Sequence, residues 1–120
     1  MRTITSHIDP FGAADLKITC DDTDPNAGGA SHDYVIAIGD AVVAEIQYQH
    51  GPRGTDGRLT GCIDSAILAI AIDRLECLQA GPFAHESNAR ALAHLRDAAD
   101  ILRSRAAERK GRGVLGQNKA

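Results

Sequence analysis

The sequence predicts an α+β fold, a small N-terminal antiparallel β-sheet followed by a C-terminal antiparallel α-helical hairpin. Two observations predict it. Apolar and polar residues alternate with period two through residues 16–20 and 34–49, whereas apolar residues recur at helical spacing from about residue 61 onward. A glycine-rich stretch, HGPRGTDGRLTG at 50–61, separates the two regimes. The expected organisation is 1–50 sheet, 51–60 loop, 61–112 helical hairpin and 113–120 tail, cooperating as one domain.

In the first half, Leu16-Lys17-Ile18-Thr19-Cys20 reads as a strand ended by the turn formers DDTDPNAGGASHD. Tyr34, Ile36 and Ile38 share a face, and Gly39-Asp40 is a two-residue hairpin signal. The return strand is expected to put Val42, Ala44, Ile46 and Tyr48 on one face and Val43, Glu45, Gln47 and Gln49 on the other. One face alone needs burial, so the sheet is antiparallel.

In the second half, Thr60 is the expected cap of the first helix, with Asp64 in its first turn. That helix runs to about Gln79, where Gly81-Pro82 stops it. Its apolar residues form two stripes, Ile63-Ile67-Ile70 and Leu68-Ile72-Leu75, which calls for neighbours on more than one side. The second helix starts near His85–Ser87 and runs to about Lys110. Leu92, Leu95, Ala99, Leu102 and Ala106 repeat at 3,4,3,4 spacing, a seam for an antiparallel partner.

Composition narrows the function classes. The aromatics are Phe11, Phe83, Tyr34 and Tyr48, so a core must come from Ile, Leu, Val and Ala, and subunit association is an expected further source of burial. Cys20, Cys62 and Cys77 are an odd set without paired spacing, arguing against a disulfide framework or a cysteine zinc site. His7, His32, His50, His85 and His94 show no metal-ligand spacing, and neither a catalytic constellation nor a cofactor motif is present. The N-terminus carries no apolar run of signal-peptide length, and the stretch Ala66–Ile72 falls far short of the ~20 residues of a membrane span. The reading is a soluble protein of a reducing cytosol.

Charge is distributed unevenly. Residues 1–102 carry seven basic and fifteen acidic side chains, net −8, whereas residues 103–120 carry six and one, net +5. That pattern suits a localised anionic ligand and suits a long nucleic acid poorly. Arg105, Arg109 and Arg112 stand at i, i+4 and i+7 on the expected overhang of the longer second helix, with Arg109 where the apolar seam would continue. Arg53 and Arg58 lie in the loop before the first helix, which an antiparallel hairpin is expected to bring back beside the overhang. Guanidinium groups beside glycine-rich backbone suit phosphate. A solvated basic helix end complementing the macrodipole accounts for the spacing equally well.

The string AILAIAIDRLECLQAGPFAHESNARAL, followed by RAAERKGRGVLG, resembles the Thoeris anti-defence sponge family of phages, whose helical hairpin is shared with the anti-CBASS cyclic-oligonucleotide sponges. The matching residues are Ala69-Ile70, Asp73-Arg74-Leu75, Gln79-Ala80-Gly81-Pro82-Phe83, Asn88, Ala91-Leu92, Arg105, Arg109, Arg112-Gly113-Val114 and Gly116. Ile46-x-Tyr48-Gln49-x-Gly51-Pro52 resembles the strand and turn of the longer, sheet-bearing Thoeris type.

The resemblance implies a non-enzymatic protein, without cofactor, that sequesters glycocyclic ADP-ribose isomers in the cytoplasm of the infected bacterial host. It implies a homodimer or homohexamer, and in some members a separate pocket for cyclic oligonucleotides. Carried over by position, ligand contacts fall on Arg53, Leu78, Asn88, Arg105 and Arg109, with Arg112 in the matching ending. Leu78 stands where the family usually has an aromatic, and Phe83 is the nearby substitute. His50 stands where the family commonly has Asn, and the family's Glu further along the loop is missing. Asn88 and Leu78 fall at one hairpin end and the arginines at the other, so the implied pocket is composite across subunits. A sponge for CBASS cyclic di- or trinucleotides and a non-binding oligomerisation module are the alternatives.

Overall fold

The computed structural model describes residues 1–11, 16–54, 56–113 and 115. Thr55, Val114, Gly116 and the rest of the tail expected at 113–120, apart from Gly113 and Leu115, lie outside the described residues. The chain folds as two compact units, Met1–Cys62 and Ile63–Ala120. The first is an antiparallel sheet in the order β1 (Arg2–Ile4), β2 (Leu16–Cys20), β3 (Asp33–Ile38), β4 (Ala41–Gln47). The second is a pair of helices, α1 (Asp64–Gln79) and α2 (Glu86–Gly111). The fold is α+β, as the periodicities predict.

Register sorts the sheet's side chains. Ile4, Ile18, Ile36 and Ala44 form one row across all four strands, flanked by Cys20-Tyr34-Ile46 and Leu16-Ile38-Ala41. The opposite face carries Thr3-Thr19-Val35-Glu45 and Lys17-Ala37-Val42. Tyr34 meets Tyr48 edge to face, with ring centroids 5.5 Å apart. Gly39 takes φ 56° and, among the described residues, no non-glycine has positive φ, so Gly39-Asp40 makes a type II′ turn.

Two expectations are corrected here. A bulge between Ile36 and Ala37 puts Val42 opposite Ala37, on the face away from Ala44, because the extra residue shifts the alternation by one. The strand β1 goes beyond the sequence reading altogether; its three residues pair with β2 and are too few to show a period.

Asp21 fastens the end of the β2–β3 pair. Its carboxylate accepts from the backbone N–H of His32 (2.8 Å) and of Asp33 (3.1 Å). Those two bonds, His32's first, hold the Asp21 carboxyl below its ordinary value. A depressed carboxylate stabilises the fold above its unfolded value of about 3.9, and that contribution disappears as pH falls through the lower folded value. Asp21→Asn should therefore lower the thermal midpoint at neutral pH and flatten its decline below about pH 4, read from melting curves over an acid series. A variant with the same acid decline as the parent would refute this role.

In the helical unit, α1 begins without the expected Thr60 cap. Its N-cap is Ile63, which makes no side-chain cap bond. Thr60 is occupied elsewhere, its Oγ1 accepting from His50 N (3.0 Å) and its N–H donating to Gln49 Oε1 (2.9 Å). The end of α1 also differs from expectation. The cap residue Ala80 stays right-handed and Gly81 lacks positive φ, so the helix stops through a right-handed turn into Pro82.

The turn joining the helices is built by polar side chains. Gln79 Oε1 accepts from His85 N (2.7 Å), His85 Nδ1 accepts from Ser87 N (3.0 Å), and Asn88 Nδ2 donates to Phe83 O (3.1 Å). Arg96 and Glu76 bridge the helices at 3.0 Å, an exposed pair worth about 0.2–1 kcal/mol. The seam on α2 buries Leu92 and half-buries Leu95, Ala99 and Ala106, whereas Leu102, expected on the same seam, is exposed because it lies at the edge of the stretch that α1 covers. On α1 the hairpin half-buries Ile67, Leu68, Ile72 and Leu75, whereas Ile63 and Ile70 stay exposed, Ile70 at 68%.

The core is correspondingly thin. Among the described residues, Cys20 and Leu92 are the buried apolar side chains, at 3% and 4% exposure. Among the described residues no helix is long and apolar enough to cross a membrane.

Candidate functional site

The residues picked out by sequence lie at three places. Arg53 belongs to the sheet unit, and the other six belong to the helical unit. Within the helical unit, Leu78, Phe83 and Asn88 gather at the interhelical turn, and Arg105, Arg109 and Arg112 stand on the far end of α2.

At the turn, Leu78 and Asn88 are half-buried and the Phe83 ring is 75% exposed. Asn88 spends an amide proton on Phe83 O, which ties this ring's backbone to the start of α2. The result is a flat aromatic face presented at a rigid corner. Such a ring offers a stacking surface for a base, at a point five residues from Leu78, where the chain lacks an aromatic.

At the other end, α1 spans 16 residues and α2 spans 26, so α2 overhangs by about 15 Å at 1.5 Å per residue, more than sequence spacing suggests. Arg103, Arg105, Arg109 and Lys110 stand on this overhang and Arg112 caps it, with one acid among them, Glu108. Glu108 contacts Arg105 at 3.4 Å and also pairs with Arg112, whose Nη2 donates to Oε2 at 3.1 Å. A single carboxylate thus orients two guanidinium groups on one helix face, and the end stays net cationic. Arg109 is half-buried on the line of the apolar seam. Exposed pairs of this kind hold their partners weakly, so a phosphate that accepts bidentate bonds competes with Glu108.

Geometry separates the two ends. From Asn88 to Arg109 along α2 is about 31 Å, so one compact nucleotide cannot touch both on the same hairpin.

Arg53 is engaged within its own loop. Its Nε and Nη2 donate to Gly57 O at 3.0 and 2.7 Å, and Asp56 Oδ1 accepts from Arg58 N at 3.2 Å. Gly51, Gly54 and Gly57 all adopt φ between 73° and 77°, the left-handed region that glycine reaches without Cβ strain. The loop's neck is pinned by Gln49, whose Nε2 reaches Gly51 O and Arg58 O, both at 3.4 Å, and by Cys62, which pairs in parallel with Tyr48. No spacing rule marks Gln49 or Thr60 as the neck, because their partners lie nine to eleven residues away.

The cysteines are free, with Cys20 buried and Cys77 exposed. Among the described residues, no three His, Cys, Asp or Glu side chains come together in a way that could hold a metal ion. No protein-family model matches the chain, and no curated protein matches it.

Proposed function

We propose that this protein binds a cyclic signalling nucleotide of the glycocyclic ADP-ribose type and sequesters it unchanged, as a phage anti-defence sponge acting in the host cytoplasm against Thoeris immunity. The observation that carries the reading is the helical hairpin. The segments that resemble the sponge family lie on it, with an exposed aromatic and an amide at one end and oriented guanidinium groups at the other. A base stacks on the first, and a pyrophosphate is held by the second. Binding is then shared between copies, the turn of one hairpin facing the arginine end of another.

The thin core supports association. A protomer whose described residues include two buried apolar side chains and an exposed apolar stripe along and just before α1, Ile63 and Ile70 foremost, gains its missing burial from a second copy. Light scattering at micromolar concentration should give a multiple of 12.7 kDa. A mass of one chain would sink the composite pocket.

Chemistry is absent from the reading. The acid nearest the arginines, Glu108, is engaged with two of them, and a cation-rich site stabilises a phosphate ligand's ground and transition states alike. The test is to incubate excess cyclic ADP-ribose isomer with the protein, denature the complex by heat and chromatograph the supernatant. Intact ligand should return in full, with a fixed ratio trapped per protomer before heating. Product that accumulates with time would replace sponge by enzyme. A parallel panel of cyclic di- and trinucleotides distinguishes the CBASS-type alternative, and no binding to any of them would leave an oligomerisation module.

A further inference from the structure

The root of the loop at residues 50–61 holds a constellation that the ligand reading does not use. His32, just before β3, is 4% exposed and stacks on His50, with ring centroids 4.3 Å and planes 29° apart. His50 Nε2 lies 3.1 Å from Asp24 Oδ2. Nδ1 of His32 is buried without a hydrogen-bond partner. Asp24 is held in place by its own turn. Its Oδ1 accepts from Asn26 N at 2.9 Å, and its backbone pairs with Ala30. His50, in turn, is fastened to the loop's far side through its N–H on Thr60 Oγ1. The other groups around the pair are the Asp21 carboxylate, on His32 N, and Tyr48, whose N–H donates to His32 O at 2.7 Å.

We propose that the stacked His32–His50 pair is a one-proton latch that fastens the base of the 50–61 loop to the 24–30 turn in mildly acidic medium. Imidazole is the side chain that changes charge between pH 5 and 8. A proton on His50 turns its contact with Asp24 into a charge-assisted bond, roughly twice as strong as the neutral one. The His32 ring shields one face of that pair from water. A second proton has no comparable place, since the buried Nδ1 of His32 has no acceptor and two stacked cations would repel at about 4 Å. The charge-assisted contact with Asp24 exists only while His50 carries the proton, so the latch tightens in acidic medium and slackens as pH rises.

The proposal is independent of any ligand and is tested on the full chain alone. Thermal midpoints are measured at about pH 8 and 5.5 for the parent, Asp24→Asn, His50→Phe and the double variant. Asn keeps the turn's cap on Asn26 N, and Phe keeps a ring against His32. The gap between parent and Asp24→Asn should widen by about 2–6 °C on acidification, and the widening should vanish when His50 is Phe. A gap equal at both pH values, or a widening that persists without His50, would overturn the latch. Should His50→Phe fail to fold, His50→Gln supplies the non-titrating background with the same two outcomes.

Discussion

Gly61→Ala should destabilise the protein by about 1–3 kcal/mol, the usual cost of overpacking. A Cβ at Gly61 would stand 2.5 Å from Gln47 O and from the carbonyl carbon and oxygen of Tyr48. Those are backbone atoms of a paired strand, so no rotamer change relieves the clash. Gln47 O is also the acceptor for Cys62 N at 2.8 Å, and moving it would cost that bond. The matched control is Gly81→Ala. There the new methyl meets only Cys77 O and Leu78 O, at 3.7 and 3.8 Å, and the backbone φ is negative. Denaturant melts of the two variants should differ by at least about 1 kcal/mol. Equal melts would mean that the chain is not pressed against β4 at Gly61.

Arg109→Ala should weaken ligand binding by about 10- to 150-fold, the equivalent of the ~1.5–3 kcal/mol of a hydrogen bond to a charged group. Arg105 and Arg112 both pair with Glu108, and Arg109 lies half-buried on the seam line, past the length of α1. Folding should change little, which circular dichroism checks. Arg109→Lys should also be defective, because an ammonium cannot reproduce the planar fork. Titration calorimetry with a cyclic ADP-ribose isomer decides the matter. Normal affinity in the Ala variant, or loss of the fold, would leave the arginine cluster a solvated helix end.

Local periodicity carries information about elements long enough to repeat it. Leu16–Cys20, the Gly39-Asp40 turn and the stripe from Leu92 to Ala106 were legible because each repeats or turns within a few residues. The arginine triad was legible for the same reason, since i, i+4 and i+7 need only a helix. What escaped reading depends on partners far along the chain. β1 exists because Arg2 to Ile4 finds β2, sixteen or so residues away. Thr60 looks like a helix cap and serves the loop's neck, because His50 and Gln49 compete for it successfully. The bond of Arg53 to Gly57 O is short-range, yet only the loop's own geometry decides it. Val42 changed face through a single extra residue, which a strict period-two pattern cannot express.

The pinned neck of the 50–61 loop has an evolutionary consequence. Gln49, Thr60 and Cys62 hold its two ends together, and the bonds of Arg53, Asp56 and Arg58 stay within the loop and its neck. Closure entropy rises by only about 0.6 kcal/mol for each doubling of length, so residues can be inserted between Gly51 and Arg58 at small cost. Descendant sequences can therefore exchange this segment wholesale while the strands beneath it stay unaltered. Length variation should concentrate there, between Gln49 and Gly61, where an added Cβ would stand 2.5 Å from backbone atoms.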